Sequence, residues 1–437
     1  MVEPAMSEPP IADVVWDNSD PQSDTNDRWP LVRRSSPRGR FTQTAWLTIG
    51  RVIAAALSLG WAMAIARFLP VDQVGALSLG LTLAVALSVL ADLGLPMIVA
   101  DRVAAHPNEA RSLMRQVCVV RLWASAGTFF ILLVMYRLGT SATLAVPLLM
   151  GVSIAATAVH STATAALRGL GSVVPDAINE VVSRTFVLIV GWYLLSQGLG
   201  IMVAAAVLAT ADVGSAVMLA YVLRRRTSPG PDFPRSIIHR RTVVPLAAAL
   251  LIGSLHIRID VWLLSLLGTA SEVAHYAVPG RLAEGLLLPA GAAAALVLPL
   301  TVQEESPRER GRAALRYVAF IAALVAVAAV ALGAGAEIVL NAAFGSDYRA
   351  DYDVLRLLCV AAVPSAVSIG LAPVLAIEWR GAFTRLVVLA LVVNVATNVA
   401  LIPIHAERGA ALGTIASSAV AAVGMVVAIV RLPGGQE

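Results

Sequence analysis

Of the 437 residues in this chain, 58% are hydrophobic and only 14% charged, and the mean hydropathy is +0.80. That balance excludes a soluble globular domain of this length, which would carry far more charge. The net charge of +4 and pI near 9.4 come from arginines set between apolar stretches, so nucleic acid is not an expected partner.

Residues 1–43 place Glu3, Glu8, Asp13, Asp17, Asp20, Asp24 and Asp27 before a basic run ending at Arg40, with scattered prolines and little apolar content. This predicts a disordered cytoplasmic tail. The acidic start and missing apolar core do not fit a signal peptide. Its basic part reads as an orientation signal, with contact to anionic headgroups of membrane lipids as the alternative.

Beyond the tail, a hydrocarbon core about 30 Å thick demands about 20 apolar residues per helix. Twelve stretches meet that demand: 44–67, 74–99, 116–137, 141–165, 178–197, 199–222, 243–267, 276–300, 314–340, 353–377, 382–404 and 409–431. They lack the ten-residue alternation of a lipid-facing strand, which excludes a membrane β-barrel. The fold class is therefore all-α and polytopic. In the ninth stretch Gly333 and Gly335 interrupt the pattern, and Glu337 lies near its far end.

The sequence contains no lysine, and its arginines alternate from crowded to sparse loops. One set of 22 holds Arg28, Arg33, Arg34, Arg38 and Arg40, then Arg102, Arg111 and Arg115, then Arg168, then Arg224, Arg225, Arg226, Arg235, Arg240 and Arg241, then Arg308, Arg310, Arg312 and Arg316, then Arg380 and Arg385, then Arg431; the other holds only Arg67, Arg137, Arg349, Arg356 and Arg408. The crowded set belongs inside, which places both termini in the cytoplasm. The longest loop between spans, 223–242, carries Pro229, Pro231, Pro234, Arg240 and Arg241. It separates an N-terminal lobe, 44–222, from a C-terminal lobe, 243–431, and residues 432–437 form a second tail. Six spans per lobe give both the same orientation, so a pseudo-two-fold axis along the membrane normal is expected.

Cys118 and Cys359 suggest no disulfide framework, and the six histidines lack ligand spacing, so neither a metal nor a cofactor is expected. There is no P-loop and no Gly-x-Ser-x-Gly elbow. A membrane-embedded polymerase, ligase or glycosyltransferase would need a large outside loop or a soluble catalytic domain. Neither is evident in the sequence.

Local patterns carry a family likeness. Arg67-Phe68-Leu69-Pro70 with Val74-Gly75, then Asp92-Leu93-Gly94-Leu95, mark the first half. Asp260, Tyr276, Arg281-Leu282, Glu284, Pro289, Leu298-Pro299, Phe344-Gly345, Tyr348, Asn394 to Asn398, Leu401-Ile402-Pro403 and Gly409-Ala410-Ala411 mark the second. In this order the chain resembles the bacterial polysaccharide-unit flippases of the multidrug/oligosaccharidyl-lipid/polysaccharide (MOP) exporter superfamily. The resemblance implies two six-helix lobes around a cationic central cavity in the bacterial inner membrane. It also implies translocation of an undecaprenyl-pyrophosphate-linked oligosaccharide to the outer leaflet, a transporter's task with no catalytic residue, with glycan polymerases or ligases as candidate partners. A cation-coupled multidrug exporter of the same fold is the alternative, and a non-transporting or enzymatic component of glycan assembly the third.

Charges at mid-span are costly, about 2.5–3.5 kcal/mol each on insertion scales, so they face a cavity or a partner. Arg258 is the first candidate for pyrophosphate contact, because a guanidinium fork matches phosphate oxygens; an interhelical ion pair is the competing role. Arg51 in span one is its N-lobe counterpart, and Arg281 the third candidate. Asn394 and Asn398, one turn apart, form a polar stripe for sugar hydroxyls or for helix packing. Asp260, Asp92 and Asp212 are candidates for a coupling proton or sodium ion, with a cross-helix arginine as the competing partner for Asp92 and Asp212. Arg281 with Glu284 and Glu180 with Arg184 are spaced for local pairs, Arg121 for snorkelling, and Gly409, Gly413 and Ser417 for close helix packing.

Overall fold

The computed structural model describes residues 37–228, 258–301 and 306–431. The predicted tails up to residue 36 and from 432, the linker from 229 to 242, and residues 243–257 of span seven lie outside the described residues.

Regular structure among the described residues is helical throughout. The first set comprises α1 (Pro37–Phe68), α2 (Val71–Asp92), α3 (Leu95–Ala105), α4 (Ala110–Gly139), α5 (Ala145–Gly169), α6 (Val174–Ser196) and α7 (Ile201–Arg226). The second comprises α8 (258–267), α9 (Ala270–Leu286), α10 (Leu288–Thr301), α11 (Pro307–Ala334), α12 (Ala336–Phe344), α13 (Tyr352–Glu378) and α14 (Arg380–Val430). Nine of the described helices are long and apolar enough to cross a membrane. Helices prevail because they satisfy every backbone N–H and C=O internally, where hydrocarbon offers no partner.

Three predicted spans are subdivided. Span two breaks where Leu93 (φ 51°) and Gly94 (φ 68°) turn left-handed between α2 and α3. Span eight divides between α9 and α10 at Leu287, two residues before Pro289. Span nine ends at Ala334, and Gly335 leads into the short α12. Conversely, α14 holds two predicted spans as antiparallel arms, reversing at Ala406 (φ 48°, ψ −125°). The arms approach most closely where side chains vanish: a Cβ on Gly409 would strike the backbone at Leu401, and one on Gly413 would lie 2.9 Å from the Asn398 amide. The small-residue stripe therefore serves packing.

Within the compact unit Ala45–Glu437, α2 through α7 pack on one another, as do α9 through α14. α1 lies on α6, where Gly60 meets Leu188 and Gly191 leaves room for Trp61. The two sets meet chiefly through α2 and α9. At Gly75 the backbone of α2 touches the Ala270 carbonyl so closely that no Cβ fits. Gly139 at the end of α4 lies close against the Ser265 side chain. One apolar core spans both sets there, joining Leu77, Leu132 and Tyr136 to Ala274, Leu340 and Phe344. Arg67 fastens the same end by donating to the carbonyls of Ala342 and Ala343 at the end of α12.

The opposite end, where the arginines crowd, is built differently. There the first set has its own core around Val99, Leu113 and Leu167, and the second its own around Val318, Leu371 and Met425. Among the described residues the sets thus share a core at the arginine-poor end and have separate cores at the arginine-rich one.

Closure at the arginine-poor end is testable by cross-linking. With Cys118 and Cys359 replaced by serine, Gly139→Cys with Ser265→Cys is expected to form a disulfide on mild oxidation, since the two Cβ positions nearly reach bridging range. Gel mobility after protease cleavage between the cysteines reads the bond; persistent failure to cross-link would contradict the closure.

Candidate functional site

Each helix set holds a half-open cavity in which charged and polar groups punctuate a mostly apolar lining. The second set's cavity, about 310 Å³, is lined by Arg258, Asp260, Arg281, Glu284 and Asn394, with Thr82 of α2 reaching in from the first set. Arg258 and Arg281 converge on one carboxylate: Arg258 Nη1 donates to Glu284 Oε1 at 2.5 Å, and Arg281 Nη1 to Glu284 Oε2 at 3.1 Å. Arg281 reaches Glu284 one helical turn along α9, whereas Arg258 crosses from α8. Two positive charges thus share one negative charge.

Asp260, two residues from Arg258, points elsewhere. Its buried carboxylate accepts from the Tyr276 hydroxyl, from Thr414 at 3.3 Å, and from its neighbour Val261 N–H at 2.8 Å. Asn394 donates to Ser417 at 3.0 Å across the α14 hairpin. Asn398 is fully buried, donates back to Asn394, and does not line the cavity. Arg51 is exposed on α1 and lines neither cavity.

The first set's cavity, about 500 Å³, lies between α2, α3, α5, α6 and α7. Four carboxylates line it, Asp92, Asp176, Glu180 and Asp212, against two guanidiniums, Arg168 and Arg184. Asp176 is held by Arg168 at 2.7 Å and by the Thr164 hydroxyl at 3.0 Å. Glu180 and Arg184 both face the cavity with no ion pair between them among the described residues, contrary to the local pair their spacing predicts.

Arg121 also departs from expectation. It does not snorkel; its side chain is fully buried and donates to Asp92, to Thr162 at 2.6 Å and to the Ala91 carbonyl at 3.2 Å. The cause is the break after α2. Ending that helix frees the Ala91 carbonyl and leaves the Asp92 carboxylate beside it, and a guanidinium from α4 satisfies both. The sequence suggested a cross-helix arginine for Asp92, but the identity of that arginine emerges only from the break. Thr414, Ser365 and Ser368 of the second cavity were not singled out in the sequence. Isolated hydroxyls in apolar helices commonly bond their own backbone, as Thr414 and Ser368 do, so composition gave no signal.

The fold defines a multi-pass, all-helical membrane protein, with metal-ligand clusters absent among the described residues. Residues 41–299 match the family described as "Polysaccharide biosynthesis protein", and the chain belongs to that family. Comparison with curated proteins found no match. Among solved structures, the lipid II flippase MurJ in an inward closed conformation aligns with a TM-score of 0.70 at 11% identity, covering 89% of this chain and 88% of that one. An inward-facing MATE family multidrug resistance transporter of the MOP superfamily aligns with a TM-score of 0.67 at 15% identity, over 86% of this chain and 93% of that one. A MOP superfamily transporter from Pyrococcus furiosus, described by a reversed polarity of its binding pocket, aligns at 0.60 and 14%, over 91% and 96%. At these identities the likeness is one of fold, and that fold is the one the sequence resemblance implied.

Removing Arg121 strands the Asp92 carboxylate. Arg121→Ala is expected to destabilise the protein, by less than the about 3–5 kcal/mol of a fully buried pair because Asp92 keeps partial exposure at the cavity. Thermal unfolding in detergent would show the drop, and Arg121→Met with Asp92→Leu should recover most of it. Unfolding unchanged by Arg121→Ala alone would remove the pair from the fold's supports.

Proposed function

We propose that this protein moves an undecaprenyl-pyrophosphate-linked oligosaccharide from the cytoplasmic to the outer leaflet by alternating access. The observation that carries this reading is the two-to-one pairing on Glu284. One carboxylate compensates one guanidinium and leaves a surplus positive charge beside the cavity. A pyrophosphate is a suitable ligand, because forked N–H donors match its oxygens. Asn394 and the hydroxyls of Ser365 and Ser368 supply neutral groups for sugar, while the polyprenyl tail stays among the lipids. Arg51 enters the proposal only as a contact on the way in, and Asn398 is assigned to helix packing.

Asp260 is the preferred coupling group. With its carboxylate charged, it cancels the surplus left by Arg258, Arg281 and Glu284. With a proton or sodium ion bound, the cavity carries one net positive charge. Cation and anionic headgroup then strengthen each other's binding, and the coupling is reciprocal. Asp212 is the N-lobe candidate; Asp92 is already matched by Arg121.

A second reading, a cation-coupled exporter of the same fold, is favoured by the first cavity, where carboxylates outnumber guanidiniums. Lipid extracts separate the two. Deleting the gene is expected to accumulate one lipid-linked oligosaccharide on the cytoplasmic side, whereas extracts unchanged by deletion, together with raised drug sensitivity, would favour the exporter.

Charge arithmetic also distinguishes substrate binding from a mere ion-pair lock. Arg258→Ala is expected to abolish surface display of the glycan with normal membrane levels. Arg258→Ala with Glu284→Ala restores the surplus charge on Arg281 and is expected to recover part of the display. If Glu284→Ala alone fails as completely as Arg258→Ala and the double variant recovers nothing, the pair is a lock.

A further inference from the structure

A third depression lies on the outer side of the first helix set, at the arginine-rich end, and belongs to neither cavity. Its volume is about 640 Å³, and it runs between α4, α5 and α7. Three arginines line it, Arg111 and Arg115 one turn apart on α4 and Arg224 at the end of α7; among the described residues no acidic one does. The rest of the lining is small or apolar, with Met114, Val119, Val159 and Leu223 among it.

The orientation of Arg224 is selective. Of the three successive arginines ending α7, Arg225 stacks over Tyr221 and donates to its hydroxyl at 2.8 Å, and Arg226 donates to Ser172. Arg224 alone lines the groove. Along α4 the groove passes from charged to greasy. Val119, one turn beyond Arg115, is half exposed, and Trp123, a further turn on, is 77% exposed. From Arg115 to Trp123 the helix rises about 12 Å, roughly the step from a headgroup into the acyl region. A cationic end joined to an exposed apolar wall at bilayer depth matches an amphiphile whose anionic end sits among the arginines.

We propose that this groove binds an anionic glycerophospholipid of the surrounding bilayer, its phosphate between Arg111 and Arg224 and an acyl chain along Val119 towards the exposed Trp123 beyond the groove. The site is separate from the cavity assigned to cargo and does not depend on what the cargo is. Because it bridges the start of α4 to the end of α7, an occupied groove ties together two helices of the first set at the end where the two sets have separate cores.

Native mass spectrometry of the full chain, released from nanodiscs, tests the site. Phosphatidylglycerol is expected to remain bound through delipidation that strips phosphatidylcholine. Arg111→Gln with Arg224→Gln should weaken its retention on the order of tenfold or more, given the usual contribution of each surface arginine to anionic-lipid attraction. The lysine pair, Arg111→Lys with Arg224→Lys, should keep most of it. Arg225→Gln, which alters the neighbouring arginine outside the groove, should change nothing. Unfolding temperatures of the lipid-free variants check that the fold is intact. Retention unchanged in the glutamine pair, equal retention of phosphatidylcholine, or displacement by millimolar inorganic phosphate would each overturn the assignment, the last by showing a site for soluble anions.

Discussion

Charge in hydrocarbon must be compensated from another helix or by a neighbour on the same one, and in this protein the meeting of Arg258, Arg281 and Glu284 leaves one guanidinium that only a charged Asp260 in the same cavity offsets. A one-to-one pair would have been enough to stabilise α8 against α9. The second guanidinium adds little to that attachment, since Glu284 has a single charge to share. In the proposed transport reading it makes a structural contact a binding surface, because a cation held beside another cation is stabilised by any anion that enters. The Arg121–Asp92 pair shows the contrasting case: equal charges, a fully buried guanidinium and hydrogen bonds to Thr162 and Ala91. That pair closes a helix break and leaves little charge to offer.

The two helix sets are joined chiefly through α2 and α9. Contact at Gly75 and Ala270 is backbone against backbone, and around it large side chains such as Leu77, Tyr136, Leu340 and Phe344 share one apolar core. Small residues permit close approach in membranes, where no hydrophobic driving force distinguishes helix from lipid. The common core at this end also buries the hydroxyls of Tyr136 and Tyr348 without partners among the described residues. Each such group costs about 1–3 kcal/mol relative to a hydrogen-bonded one.

Hydropathy made the spans legible, since each residue's water-to-lipid preference acts locally and sums along the helix. Arginine asymmetry separated the two ends for the same reason. The breaks were less legible. Leu93 adopts a left-handed conformation that its side chain disfavours, and nothing in its type announced this. Ala406 does the same at the α14 reversal, although the paired spans on either side implied a turn there. Site contacts were partly legible. Arg281 and Glu284 are three residues apart, so helical spacing revealed their pairing, whereas Arg258 and Glu284 are separated by 26 positions and meet only once α8 and α9 pack. Arg121 was misread as snorkelling because its partner is created by a break in another helix.

The residues behind the family likeness fall where the fold is constrained. Val74-Gly75 forms the approach between the sets, Asp92-Leu93-Gly94 the helix break, and Gly409-Ala410-Ala411 the tight return of the hairpin. Asp260 and Tyr276 meet at a buried hydrogen bond that Thr414 extends to the second arm of α14. A change in charge at Asp260 is therefore felt in two directions. Through hydrogen bonds it reaches the hairpin that packs the second set, and through the field it reaches the guanidinium pair on Glu284. A single group can link helix packing to the cavity's appetite for anions without any chain of moving side chains between them, because it already touches the first and electrostatically faces the second.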